Sequence, residues 1–159
     1  MTISIGDKLP ASDLMEMTDK GPSKISTSEI FAGKKIALFA VPGAYTPTCS
    51  AKHLPGFVGN LDALKGKGVD EVICLSVNDP FVMAAWGKAQ EAGAVRMVAD
   101  PDAAFTKAMN VEFDASGAGL GVRSRRYSMI VDNGVVSQLN LEETGGFEVS
   151  DAETLLGQI

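Results

Sequence analysis

Basic charge is what this chain has too little of. Its 14 Lys and Arg stand against 20 Asp and Glu, giving a net charge of −6 and a pI near 4.7. Apart from Arg123-Ser124-Arg125-Arg126 the cations are scattered, so no basic face is available to a phosphate backbone or an anionic lipid surface. Nucleic acid and membranes are therefore excluded as expected partners. No apolar run approaches the ~20 residues of a spanning helix, and Met1-Thr2-Ile3-Ser4-Ile5-Gly6-Asp7 lacks the basic region and apolar core of an export signal. A cytoplasmic or similarly reducing compartment is the expectation. Cysteine and histidine are scarce too. Cys49, Cys74 and a single histidine, His53, leave no ligand set for zinc, and two such thiols are expected to be reactive or buried rather than joined in a structural disulfide. Neither a metal nor a cofactor is expected.

What the chain does have is apolar residues in patterned runs. They make up 45% of 159 residues, enough for one domain over residues 1–159 with a core that needs no staple. Asp13 to Thr18 alternates and meets Asp19-Lys20-Gly21-Pro22, which predicts an edge hairpin. Ser26-Thr27-Ser28-Glu29 has the spacing of a capping box ahead of Ile30-Phe31, so a short helix ending at Gly33 is expected. Ile36 to Val41 is continuously apolar and suits a strand buried on both faces. Beyond Lys65-Gly66-Lys67-Gly68, Val69 to Val77 reads as a second buried strand, closed by Asn78-Asp79-Pro80. Strand, helix and strand in that order imply a right-handed crossover between parallel strands. A helix over Phe81 to Ala92 follows, in which Phe81, Ala84, Ala85 and Lys88 share a face with Trp86 close by, and Gly93 ends it. Val95 to Ala99 is a third strand, and Asp100-Pro101-Asp102 caps a helix over Ala103 to Met109. Residues 114–124 are too rich in glycine for regular structure and are expected to form a long loop. Two further strands flank Asp132-Asn133-Gly134, a hairpin signal, and a helix from Ser150-Asp151 through Leu155-Leu156 closes the chain. The order predicts an α/β thioredoxin-like fold: a central mixed sheet flanked by helices, with an N-terminal hairpin extension.

Chemistry concentrates at Val41-Pro42-Gly43-Ala44-Tyr45-Thr46-Pro47-Thr48-Cys49-Ser50. A cysteine here lies just past a sharp turn that ends an apolar strand. With Thr48 or Ser50 capping a helix through His53 toward Phe57, Leu61 and Leu64, Cys49 stands at a helix N-terminus, where free N–H groups and the dipole favour a thiolate. In a thioredoxin-like frame this turn is where Cys-x-x-Cys pairs act, but the first position here is Thr46. Dithiol exchange is thus unavailable, while a hydroxyl three residues away can bond the thiolate or an oxygen attached to it. Displacement at an O–O bond needs an ionised sulfur, donors for the oxygen and a cation. Thr46 and the amides of Thr48 and Cys49 can supply the donors; Arg123, Arg125 and Arg126 are the candidates for the cation, and their spacing alone does not choose among them. His53, four residues past Cys49, invites a cysteine–histidine pairing, yet no orienting Asn or Asp is evident and a packing or supporting role fits better. Gly117-x-Gly119-x-Gly121 follows no strand and opens no helix, so it reads as loop and not as a dinucleotide site.

Pro42 through Ser50, followed by His53-Leu54-Pro55-Gly56-Phe57, resembles the signature of the peroxiredoxins, specifically the peroxiredoxin 5 or plant type II subfamily. The resemblance continues through Cys74-Leu75-Ser76-Val77-Asn78-Asp79, Trp86-Gly87, Ala99-Asp100-Pro101 and Arg126-Tyr127-Ser128-Met129, and so covers essentially the whole chain. It implies a thiol peroxidase acting on hydrogen peroxide and alkyl hydroperoxides through a sulfenic acid. It makes Cys49 the peroxidatic cysteine, completes the catalytic set with Thr46 and Arg126, and places Pro42 and Thr48 at the substrate. It also implies a homodimer using the loop near Tyr45 and the helix near Trp86. Glutathione with glutaredoxin is the reductant expected where no C-terminal resolving cysteine exists, and thioredoxin if Cys74 resolves. Whether Cys74 resolves or is structural stays open: it lies about four residues before Asn78, on the order of 10 Å below the rim at ~3.3 Å per residue. Two rival readings are a thiol–disulfide oxidoreductase or glutathione transferase of the same fold, which turns over mixed disulfides without peroxide, and a redox-regulated binding or chaperone module.

Overall fold

Strand β3 (Lys35–Val41) is the spine of the molecule. Its residues alternate between two cores, Ala37, Phe39 and Val41 entering one and Ile36, Leu38 and Ala40 the other, which is why the run is apolar without a break. The computed structural model describes Met1–Ile159. Around β3 stand β1 (Asp13–Thr18), β2 (Gly21–Ser26), β4 (Glu71–Ser76), β5 (Arg96–Ala99), β8 (Tyr127–Asp132) and β9 (Val135–Leu141). The seven-stranded sheet runs β2-β1-β5-β4-β3-β8-β9. β3, β4 and β5 are parallel, and β8 joins β3 antiparallel with Ala40 opposite Tyr127. The mixed sheet and its N-terminal hairpin are those of the thioredoxin-like fold.

Local chemistry accounts for most of the boundaries. Ser26 caps α1 (Thr27–Phe31) by accepting from the Glu29 amide, and its hydroxyl donates to the Glu29 carboxylate, a side-chain pairing in place of the carboxylate-to-amide bond of a full capping box. Asp79 caps α4 (Pro80–Ala89) through the Val82 amide, and Asp151 caps α6 (Ala152–Leu156) through the Thr154 amide. Asn133 and Gly134 both take positive φ, 48° and 81°, the turn a two-residue hairpin between β8 and β9 needs. No helix is long and apolar enough to cross a membrane.

Several expectations are corrected. Residues 114–124 are not one loop: β6 (Glu112–Asp114) and β7 (Val122–Ser124) pair as a short hairpin around a turn at Ser116–Ala118. Glycines inside the turn leave pairing intact in the three residues on either side of it. The face of α4 shared by Phe81, Ala84, Ala85 and Lys88 looks outward, with Phe81 63% exposed, while Met83, Trp86 and Gly87 enter the core. Spacing identifies a face but not the direction it points. The helix after Cys49 is not continuous either: it divides into α2 (Leu54–Gly59) and α3 (Leu61–Gly66) at Asn60.

Candidate active site

The turn that carries Cys49 begins where Pro42 ends β3, since a proline has no N–H for the ladder. The loop after β4 holds this turn in place. Asn78 Oδ1 accepts from the Ala44 amide at 3.0 Å and from the Ser76 hydroxyl at 2.6 Å, while Tyr45 turns the chain with a φ of 67°. Gly43 has a definite reason to lack a side chain. A Cβ there would meet Arg123 Nη1 at 2.9 Å and Thr46 Cγ2 at 3.2 Å, so the arginine keeps this position only against bare backbone.

Neither Thr48 nor Ser50 caps the helix that follows. Thr48 is already helical, with φ −66° and ψ −37° and no side-chain cap bond; Pro47 opens the helix, and the Thr46 carbonyl accepts from the Ser50 amide at 3.0 Å. Ser50 instead accepts from the Trp86 indole N–H at 3.0 Å. Cys49 to His53 then form a wide π turn, in which the Leu54 amide bonds back to the Cys49 carbonyl. Pro55 explains it: having no N–H to return to Ala51, it breaks the α ladder at that point. Cys49 is thus in the first turn, and the amides of Thr48 and Cys49 donate to no carbonyl.

Two groups converge on the buried Cys49 sulfur. Thr46 Oγ1 lies 2.8 Å from Sγ and 2.7 Å from the Gly43 carbonyl, and Arg126 Nη2 donates to Sγ at 3.2 Å. The run 123–126 therefore contributes Arg126 to the sulfur, although it precedes β8. It is 8% exposed and no rim residue. Its other arm, Nη1, lies 3.0 Å from His53 Nδ1, and its guanidinium stacks 5.6 Å from the Phe147 ring centroid. Because a guanidinium only donates, Nδ1 is the accepting nitrogen; the ring proton sits on Nε2, which donates to the Ser150 carbonyl at 2.9 Å. Burial, then the positive charge of Arg126, pull the His53 pKa down from 6.5 to about 3. His53 makes no bond to Cys49 and serves to hold the arginine, packed among Phe39, Phe57 and Phe147.

Three contributors were invisible in the sequence. Glu142 Oε2 accepts from the amides of Glu148, Val149 and Ser150 and from the Ser150 hydroxyl, all at 2.7 to 2.8 Å. Burial pushes this carboxyl up, but the Ser150 hydroxyl and the three amides outweigh it and hold the group below its ordinary value. Glu142 thereby fixes Ser150, whose carbonyl fixes His53, while Phe147 covers the ring. One acid of the pair Glu142-Glu143 after a strand offers no pattern by which to find it. A cavity of about 200 Å³ is lined by Pro42, Thr46, Thr48, Phe113, Leu120 and Arg126 among others; Cys49 is not on its wall, but Thr46 and Arg126 touch both the cavity and the sulfur. Pro42 and Thr48 thus line the same cavity as Thr46 and Arg126. Cys74 is elsewhere: it pairs with Phe39 in mid-sheet, fully buried in the same core as Cys49, and burial raises its thiol well above the ordinary value.

This arrangement has known counterparts. A family model described as Redoxin matches residues 4–156. Peroxiredoxin-2D of Arabidopsis thaliana is 47% identical over 156 residues, 97% of this chain and 96% of the relative. Reduced Prx3 from Vibrio vulnificus, solved in complex with hydrogen peroxide, superposes with a TM-score of 0.96 at 54% identity, covering 99% of both chains. Peroxiredoxin 5 from Alvinella pompejana gives a TM-score of 0.85 at 33% identity over 97% of this chain and 96% of that one.

Proposed function

The chain belongs to the redoxin family and, within it, to the type II and type 5 peroxiredoxins, which makes it a thiol peroxidase; from that premise we propose that Cys49 is the peroxidatic sulfur and that Thr46 and Arg126 complete the reaction centre. The observation that carries this reading is the meeting of a hydroxyl at 2.8 Å and a guanidinium at 3.2 Å on one sulfur, from two residues that also line an open cavity.

Thr46 has one hydroxyl hydrogen and two neighbours that accept it, Gly43 O and Cys49 Sγ. With a protonated thiol, the S–H donates to Oγ1 and the hydroxyl turns to Gly43; with a thiolate, the hydroxyl turns to the sulfur. Peroxide enters with its oxygens between Arg126, Thr46 and the unpaired amides of Thr48 and Cys49. The thiolate attacks the distal oxygen, an S–O bond forms and the O–O bond breaks. The leaving oxygen, held by Arg126 and Thr46, takes a proton and departs as water or an alcohol, and Cys49 is left as sulfenic acid. Hydrogen peroxide fits the cavity directly, and Phe113 and Leu120 offer apolar contact to an alkyl hydroperoxide.

Reduction comes from an external thiol. One thiol condenses with the sulfenic acid, releasing water and leaving a mixed disulfide; a second releases Cys49 and carries away a disulfide. Glutathione with glutaredoxin suits this sequence. Cys74 is a poor resolving partner because it is fully buried in mid-strand and its thiol resists ionisation, so thioredoxin is the second choice. A homodimer follows the family pattern, with Tyr45 (56% exposed) and Phe81 (63% exposed) as the apolar contacts; Trp86 is wholly buried and takes no part at the surface. Cys49→Ser tests the reading: peroxide consumption should vanish, and a variant that still consumes it refutes the assignment.

A further inference from the structure

The arginines of the 123–126 run have no counter-ion, in a chain where acids outnumber bases 20 to 14. The ion pairs are Lys34–Glu71, Arg96–Glu16 and Arg96–Glu71, at the end of the sheet away from Cys49. Arg126 meets a neutral imidazole and the sulfur. Arg123 donates to the carbonyls of Leu120 and Pro42. Arg125 directs Nε and Nη2 to the Glu142 carbonyl at 3.1 and 2.6 Å, and its Nη1 has no acceptor although it is not sealed from solvent. The Glu142 carboxylate is turned away, onto the amides of residues 148–150.

Arg125 also lines the cavity that Thr46 and Arg126 border. Thr144 and Gly145 line it with Arg125, and neither the Thr144 hydroxyl nor the Gly145 amide has a partner within the protein. A charged donor and two neutral donors, all unspent, thus border a cavity whose Phe113 and Leu120 are apolar. Donors of this kind, with one charged planar edge, match a carboxylate.

We propose that Arg125, assisted by Thr144 and Gly145, binds the carboxylate of the small molecule that reacts at Cys49, either a carboxylate-bearing hydroperoxide or a carboxylate-bearing thiol. The proposal rests on the peroxidase reading and names the class of partner that the site prefers. The apolar stem lies along Phe113 and Leu120, the reactive end reaches the sulfur, and the carboxylate stays at the mouth.

The test compares matched pairs that differ only in charge. In the first arm the reduced enzyme is mixed in stopped flow with 3-hydroperoxy-3-methylbutanoate or its methyl ester, and the reaction is followed by the fluorescence of Trp86, whose N–H bonds to Ser50 beside Cys49. In the second arm the sulfenic acid is formed with hydrogen peroxide and then mixed with N-acetylcysteine or its amide. The wild-type protein should favour the carboxylate member on the order of tenfold in at least one arm, with the preference shrinking as salt is added. Arg125→Gln should bring that ratio to within about twofold of unity, and Arg125→Lys should restore part of it. Lys107→Gln, which removes an exposed charge from α5 (Ala104–Ala108), should leave the ratio unchanged. The arm that responds identifies the source as oxidant or reductant. Ratios near unity in both arms, or a preference that survives in Arg125→Gln, overturn the proposal. A wild-type protein that forms no sulfenic acid with hydrogen peroxide overturns the peroxidase reading instead, and the proposal falls with it.

Discussion

Acid should weaken this protein through His53. The native imidazole is neutral, with a pKa of about 3 against 6.5 for an exposed ring. Since the folded value is the lower one, the unfolded chain binds the proton first. The stability His53 contributes is full above the unfolded value and is lost as pH falls from about 6.5 toward 3. At ~1.4 kcal/mol per pH unit, the loss between about pH 8 and about pH 5 comes to roughly 2 kcal/mol. Urea unfolding at the two pH values, in the wild-type protein and in His53→Gln, isolates it. The variant starts from lower stability because Arg126 loses its acceptor, but its decline toward acid should be smaller by about 2 kcal/mol. Equal declines in the two proteins would refute the reasoning. The same geometry predicts that His53 adds no inflection of its own near the ordinary histidine pKa to the rate of peroxide reaction in the folded protein, because the Arg126 N–H already occupies Nδ1. A histidine step there would mean that His53 acts as a proton carrier after all.

Other outcomes follow from single contacts. Arg126→Lys replaces a fork that reaches both His53 and Sγ by a single ammonium, and the second-order rate constant with peroxide should fall ~10²- to 10³-fold with the fold intact by circular dichroism. Gly43→Ala puts a Cβ 2.9 Å from the flexible end of Arg123, which should swing aside and give up its bond to the Pro42 carbonyl, at about 0.5–1.5 kcal/mol in denaturant unfolding. Glu142→Gln removes the charge that holds three amides and a hydroxyl, and should lower stability by about 2–3 kcal/mol. The peroxide rate should drop with it as Arg126 loses its aim; an unchanged rate would sever Glu142 from the site.

What was legible in the sequence is what depends on neighbours in the chain. An apolar run predicts a strand buried on both faces, Ser26 and Glu29 a helix start, and Asn133-Gly134 a hairpin, because each is decided within a few residues. Thr46 three positions before Cys49 likewise announces contact across one helical turn. The π turn from Cys49 to His53 could be traced to Pro55 only once the ladder was seen to break there. Local spacing alone does not separate Arg126 from Arg123 and Arg125; the resemblance selects it, and the pairing of β8 with β3 brings the start of β8, where its guanidinium meets the sulfur, to the end of β3. Arg123 and Arg125 are diverted to carbonyls 81 and 17 residues away, contacts that no local pattern encodes. Glu142, Phe147 and Ser150 escaped for the same reason: their role exists only after the segment following β9 folds back over His53.

That fold-back also explains how a long, flexible side chain can hold a fixed aim. The Glu142 amide donates to the Arg126 carbonyl at 3.0 Å. The Glu142 carboxylate then holds Ser150, the Ser150 carbonyl accepts from His53 Nε2, and His53 Nδ1 accepts from Arg126 Nη1. The circuit leaves Arg126 by its backbone and returns to it by its side chain. A guanidinium tethered only at Sγ would trade that single bond against the rotamer entropy of an arginine, ~2 kcal/mol, and would wander. With Nη1 fastened by the circuit and Nη2 left for the sulfur, most of that entropy is already lost in the folded protein before peroxide arrives. The cation is then in place for the leaving oxygen without reorganisation, which is the condition under which such a charge stabilises a transition state best. Cutting the circuit at any link should therefore reduce the rate constant with peroxide while leaving Cys49 and Thr46 where they are.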